Sequence, residues 1–338
     1  MIRLNRIFQA IGGVLCGGLV VTAQAQVHEL KVSLFTPGTN DINIAFEQMG
    51  KVLEQKSGGH LKLKLFHASQ LGPPPRQYDL VRTGVADLTY HLHGLNSGRF
   101  PLTEVIELPG MITTGDAASK ALNELLPEYL AAEHPGTRVL GFMTGPPLPL
   151  MTTKIPIRSL SDLKGRRIRH PGPTISATLS AVGATPVAIQ PGDLHDSLAK
   201  GVVDGAVTGF TGASAFKLHE LIRYVADWNF GGITFVVVMN PAAYDKLSAE
   251  HKKLIDEFSG KAGEAHWANQ FDISEAKHRE GIIKAGATIT RLEPKEQAAF
   301  EAIAAKLQES TVAELERKGL PGKAYFAKLK QAIARHTK

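Results

Sequence analysis

Residues 158–212 constrain the fold most strongly, because strand and helix signals alternate there at very short spacing. Asp162-Leu163-Lys164-Gly165 leads into a short strand, Arg167-Ile168-Arg169, which stops at Pro171 and Pro173 because proline cannot donate to a ladder. Thr174 offers a hydroxyl N-cap to a helix carrying Ile175, Leu179 and Val182 on one side, closed by Gly183 in the C′ position. Pro186 to Ile189 forms the next strand, and Asp193 starts a helix that ends at Lys200-Gly201. Val202-Val203-Asp204 opens a further strand, followed by the glycine-containing loop Thr208 to Gly212. Strands alternating with helices of this length call for βαβ units and a parallel sheet. Ligands of such sheets sit beyond the carboxyl ends of the strands, and Arg169 stands at one of those ends.

An ordered set of motifs along the chain resembles one family. The set is Ser69-Gln70-Leu71-Gly72, Thr83-Gly84-Val85-Ala86-Asp87, Glu107-Leu108-Pro109, the strand ending at Arg169 and Pro171, Val182-Gly183-Ala184-Thr185-Pro186, and Gly201-Val202-Val203-Asp204-Gly205. In this order they are similar to the solute-binding proteins of tripartite ATP-independent periplasmic (TRAP) transporters, the family of dicarboxylate and sialic-acid receptors. The resemblance implies an α/β, two-lobed, periplasmic-binding-protein-like fold, with a ligand cleft between the lobes and C-terminal helices bracing both. It also implies a receptor that closes on an organic acid and hands it to the integral-membrane subunits of a TRAP transporter. Arg169 occupies the position of the family's carboxylate anchor. The family often has a second arginine shortly after the hinge and an amide after the later Asp-Gly; Pro149 and Thr208 stand there in this chain.

Residues 1–25 read as a signal peptide, with Arg3 and Arg6 before an apolar run from Ile11 to Val21 and a small-x-small site at Ala23-Gln24-Ala25. The mature chain is expected to begin at Gln26 in the periplasm. Cys16, the single cysteine, falls inside that leader, so the mature protein has no thiol chemistry and no disulfide. Removal of the leader leaves 36 basic against 32 acidic side chains, a mild positive balance that favours anionic solutes. There is no Lys/Arg tract with interleaved aromatics of the kind that binds nucleic acid. No later segment is long and apolar enough to embed the chain in a membrane.

The remaining ~313 residues suffice for two lobes of ~150 each. The expected division is lobe I over 26–147 with part of 240–275, and lobe II over 148–239 with part of 276–338. Gly145 to Pro149 is the expected hinge. Thr83-Gly84-Val85-Ala86-Asp87 returns as Lys200-Gly201-Val202-Val203-Asp204, each after an amphipathic helix and before a strand. Equivalent strands should therefore deliver the loops Tyr90-His91-Leu92-His93-Gly94 and Thr208-Gly209-Phe210-Thr211-Gly212 to opposite walls of one cleft. A helix from about Ser214 to Tyr224 and a buried strand from Gly232 to Met239 complete the body, and beyond Pro241 the pattern is helical.

The ligand-binding candidates are Arg169, Thr208, Phe210, Tyr90, His91, His93, Asn40, Trp228 and Asn229. The planar fork of arginine gives a carboxylate two parallel charge-assisted hydrogen bonds. With Pro149 and Thr208 in place of donors, and Phe210, Trp228 and Phe230 nearby, the expected ligand is a monocarboxylate with an apolar or aromatic body. His91 and His93 share a strand face, a spacing that can hold a metal, but the motif places no third ligand. They are expected as a surface or cleft-lining pair donating hydrogen bonds, and no cofactor or metal is implied. No G-x-S-x-G, H-E-x-x-H or phosphate-loop pattern occurs. Two function classes stand: a non-catalytic receptor, serving a TRAP transporter or else an ATP-driven transporter or sensor kinase, and an exported hydrolase or metalloenzyme on a similar frame.

Overall fold

The computed structural model describes residues 27–337, so the expected leader and its cleavage site lie outside the described residues. Eleven strands are described: β1 (His28–Ser33), β2 (Leu61–Phe66), β3 (Leu88–Leu92), β4 (Arg138–Thr144), β5 (Leu150–Thr152), β6 (Arg167–His170), β7 (Thr185–Ala188), β8 (Gly205–Val207), β9 (Tyr224–Ala226), β10 (Thr234–Met239) and β11 (Thr288–Thr290). They form two sheets, β2-β1-β3-β10-β4 and β11-β9-β5-β8-β6-β7. β1 runs parallel to β2 and β3, and β6 parallel to β7 and β8, which requires crossover connections between them. The strands next to the lobe crossings, β10 and β5, pair antiparallel, so each sheet is mixed rather than wholly parallel.

Thr234–Met239, expected to close the second lobe at residue 239, lies instead in the first sheet between β3 and β4. Its sequence TFVVVM has no polar face, and both faces are covered: Val236 and Val238 pack on one side, Phe235, Val237 and Met239 on the other. A strand apolar on both faces belongs at the centre of a doubly covered sheet, and this is the place it takes. The second sheet is covered likewise, with Val207 and Ala206 of β8 facing opposite cores.

Two segments cross between the sheets, residues 145–149 and 227–233. They hydrogen-bond to each other, Gly145 N–H to Ile233 O at 3.0 Å and Leu148 N–H to Gly231 O at 2.9 Å. The expected hinge at Gly145 to Pro149 thus has a partner segment alongside it. The helix Gln270–Lys284 ties the lobes a second time. Its Asp272 carboxylate accepts the N–H groups of Gly115 and Asp116 at the start of the helix Gly115–Leu125 on lobe I. One turn later, its Glu275 accepts those of Phe210 and Thr211 at the start of the helix Phe210–Ala215 on lobe II. Farther on, the helix Pro294–Arg317 sets Phe300 into a lobe II core and Leu315 into a lobe I core, and Gly322–His336 covers lobe I with Tyr325, Leu329 and Ile333.

Three local expectations differ from the structure. The cap of the helix Pro173–Ala181 is Gly172, because Pro173 takes the first helical position, where its missing N–H costs nothing, and Thr174 falls inside the helix. The expected helix from Ser214 to Tyr224 is already formed at Phe210–Ala215. It breaks at Lys217, in the left-handed region at φ 57°, and is followed by β9. Finally, Val202 to Asp204 precede β8 rather than forming it.

Candidate functional site

A cleft of about 650 Å³ of empty space, including its mouth, lies between the two sheets. Lobe I contributes Phe35 and Thr36 after β1, Asn40, Ile42, and Tyr90 and Leu92 of β3; lobe II contributes Arg169, Pro171, Thr208, Gly209 and Thr211. Phe235 of β10 and Phe271 stack beside them, with ring centroids 4.9 Å apart and planes at 11°.

Arg169 sits at the end of β6 with 3% of its surface exposed. Its Nε donates to Ile189 O at 3.1 Å and its Nη1 reaches Val207 O at 3.5 Å. No carboxylate among the described residues pairs with it. Burial alone lowers its pKa to about 10, so it remains a cation at neutral pH. A buried guanidinium with two carbonyl acceptors keeps spare N–H donors and an uncompensated charge, a costly state unless an anion completes it.

The opposite wall is held by an oriented polar chain. Thr36 Oγ1 donates to Asn43 Oδ1 at 2.8 Å, which leaves it to accept from the Tyr90 hydroxyl at 2.5 Å. Burial raises the Tyr90 pKa, so the phenol stays protonated. Asn40 caps the helix Asp41–Lys56 by accepting the Ile42 N–H at 2.9 Å. Glu275 forms part of the floor, where its carboxylate accepts the Phe210 and Thr211 N–H groups at 2.6 and 2.8 Å. Burial raises its pKa and those two bonds oppose the rise. Gly209 allows this approach: a Cβ there would stand 2.4 Å from Glu275 Oε1.

Of the residues expected at the ligand, Arg169, Thr208, Tyr90 and Asn40 line the cleft. Phe210 does not; its backbone N–H serves Glu275 while its ring packs in a lobe II core beneath the Arg279 guanidinium, 5.9 Å away. Trp228 stacks on Phe230 at 5.3 Å in the other lobe II core, away from the cleft. Asn229 binds backbone, donating to Ile112 O and accepting from Gly231 N–H.

His91 and His93 also lie away from the cleft. They alternate with Tyr90 and Leu92 along β3, and their face is the one turned to the other side of the sheet. There they meet His134, Tyr78, Phe100 and Phe142, with His93 edge-on to Phe100 at 4.7 Å. His93 Nδ1 donates to Thr234 O at 2.9 Å. Burial lowers the pKa of His93 to about 4 and, with the repulsion of His93 and Arg99, that of His134 to about 2. Burial, again with neighbouring positive charge, lowers that of His91 well below the ordinary value. No group of three metal-ligating side chains is assembled among the described residues.

Phe35, Thr36, Phe216, Phe235, Phe271 and Glu275 line the cleft without having been singled out in the sequence. Phe235 had a signal, since it belongs to the apolar run Gly232 to Met239. Glu275 had none, because its partners are 64 and 65 residues away.

Residues 33–315 match the family model for bacterial extracellular solute-binding protein, family 7. The chain is similar to the crystal structure of a marine-metagenome TRAP solute-binding protein specific for aromatic acid ligands, in complex with 3-hydroxybenzoate. The two are 31% identical with a TM-score of 0.88, over 93% of this chain and 100% of that one. A TRAP solute-binding protein from Rhodoferax ferrireducens T118, in complex with copurified benzoate, is 29% identical with a TM-score of 0.87, over 92% and 99% of the two chains. Among curated relatives, the 2,3-diketo-L-gulonate-binding periplasmic protein YiaO of Escherichia coli (strain K12) is 24% identical over 245 residues, 72% of this chain and 75% of that protein.

Proposed function

The chain belongs to family 7 of the bacterial extracellular solute-binding proteins, and on that premise we propose that it is the periplasmic receptor of a TRAP transporter for an aromatic monocarboxylate, anchored by Arg169. As a member of that family it is an extracytoplasmic solute receptor that hands an organic acid to membrane subunits, and no helix among its described residues is long and apolar enough to cross a membrane itself.

The observation that carries the ligand class is one buried, unpaired guanidinium in a cleft whose remaining walls are largely aromatic and aliphatic. A carboxylate would take the spare N–H donors of Arg169, and Phe35, Phe235 and Phe271 would pack on a ring. Arg169 is the only cation lining the cleft among the described residues, and Glu275 disfavours a second carboxylate. Pro149 and Thr208, in place of an arginine and an amide, point the same way. The similarity to structures holding 3-hydroxybenzoate and benzoate supports this reading.

The receptor binds without turnover. Its three clustered histidines pack together on the far side of the sheet from the cleft. Calorimetric titration with benzoate, 3-hydroxybenzoate, succinate and glucuronate tests the proposal. The two aromatic acids should bind and be recovered unchanged; tight succinate or glucuronate binding with no benzoate binding would contradict it.

A further inference from the structure

Beside the cleft, the two lobes approach each other closely through two glycines. Gly94 follows His93 in the turn His93–Leu95 after β3 of lobe I, and Gly172 follows Pro171 after β6 of lobe II. A Cβ added to Gly172 would lie 2.7 Å from Gly94 Cα. One added to Gly94 would lie 2.9 Å from Gly172 Cα and 3.0 Å from Pro171 O. Ordinary contact for such an atom begins at 3.4 Å. The obstructing atoms are backbone, so no side-chain rotation can relieve them.

Neither glycine is needed for its own backbone conformation. Gly172 is extended, at φ −171° and ψ 175°, and Gly94 is not among the glycines of positive φ. Backbone freedom therefore does not account for the pair. Close approach between the two lobes does. The seam also lies three residues beyond Arg169, and its neighbour Pro171 lines the cleft.

We propose that Gly94 and Gly172 are positioning residues for ligand binding: their missing side chains let the lobes meet over the Arg169 end of the cleft and seal the bound carboxylate from water. The inference rests on the receptor reading only in requiring that the lobes close on a ligand. A methyl group at either position holds the seam apart by several tenths of an ångström. Closure then becomes less favourable while the open form is untouched, and a ligand that needs the closed form binds more weakly in proportion.

The test is Gly94→Ala and Gly172→Ala against Gly192→Ala, an exposed glycine with nothing within 4 Å of an added Cβ. Spin labels at Lys51→Cys and Lys200→Cys, both exposed and on opposite lobes, report closure; the described residues contain no cysteine to interfere. The probe is 3-hydroxybenzoate. Wild type and Gly192→Ala should shift to a shorter label distance, whereas the two seam variants should stay longer, with Kd raised at least tenfold and ligand-free unfolding temperatures unchanged. Seam variants that reach the wild-type distance with wild-type Kd overturn the proposal. So does a loss of affinity in which the label distance still shortens fully. Wild-type labels that do not move with the probe contradict the receptor reading itself, whatever the glycine variants do.

Discussion

The two lobes each bury titratable side chains without an opposite charge, and they do so with opposite consequences. In lobe I, His91, His93 and His134 sit among Tyr78, Phe100 and Phe142, and burial holds their pKa values far below the ordinary histidine range. A histidine can answer desolvation by giving up its proton, so this cluster becomes a neutral aromatic core. In lobe II, Arg169 is as deeply buried, yet at a pKa of about 10 it stays charged at neutral pH. It must have an anion or remain uncompensated. The difference separates a packing cluster from a candidate site: one group is already satisfied by neutralisation, and the other, on the proposed reading, is completed by the carboxylate of a ligand.

The largest effect that would break this contrast is on acid stability. The folded state holds the three histidines neutral, while the unfolded chain takes up their protons below pH ~6.5. The histidines' contribution to stability is therefore lost as pH falls below that value, and the loss continues towards the folded pKa of about 4 for His93 and about 2 for His134. Each histidine contributes about 1.4 kcal/mol per pH unit in that window. Buried Glu104, its pKa raised to about 8, and Glu107, raised well above its ordinary value, act in the opposite sense over this range, so denaturant titrations between pH 7 and 5 read the histidine share as a difference between wild type and variant. His91→Leu, which removes a ring with neither nitrogen hydrogen-bonded, should lower the slope by about one proton. A slope that His91→Leu leaves unchanged would mean that His91 is charged or solvated in the folded protein.

Next in size is ligand affinity. Charge-assisted hydrogen bonds contribute ~1.5–3 kcal/mol each, so Arg169→Ala should weaken 3-hydroxybenzoate binding by roughly two orders of magnitude, and Arg169→Lys by less. Arg167→Ala is the control: that residue is exposed and already paired with Asp204 at 3.3 Å. It should bind as wild type. Removing the uncompensated charge should leave the ligand-free protein no less stable, the reverse of what breaking a satisfied buried group does.

Glu275 sharpens the comparison from the other side, as a carboxylate in the same cleft whose two oxygens are already occupied by backbone N–H groups. Glu275→Gln replaces one acceptor oxygen by an NH2 donor, which then faces a backbone N–H it cannot accept. It should cost about 1–3 kcal/mol in stability, while affinity changes only several-fold. Thermal unfolding and titration of the same variant measure both.

Much of this arrangement was legible in residues 158–212, because Pro171, Gly183 and Gly201 punctuate the chain where β6 and the two following helices stop. That placed Arg169 at a strand end. Period-two alternation also showed that His91 and His93 share a face, but nothing local says which face of β3 meets the cleft. Tyr90 and Leu92 have it because the loop after β1 and the side chain of Thr36 lie on that side. Trp228 and Phe230 resemble a ligand-binding platform in sequence; their partner, Phe300, arrives from a helix about seventy residues later and makes them core. The Glu275 caps and the Gly94–Gly172 seam depend on segments distant in sequence, so no local pattern carries them.

The most direct test is a crystal structure of the complex with 3-hydroxybenzoate. The account predicts the carboxylate within hydrogen-bond distance of the Arg169 guanidinium, with the ring between Phe35 or Tyr90 and the Phe235–Phe271 pair. A ligand bound in the cleft with its carboxylate turned away from Arg169, and the guanidinium still unpaired, would contradict it.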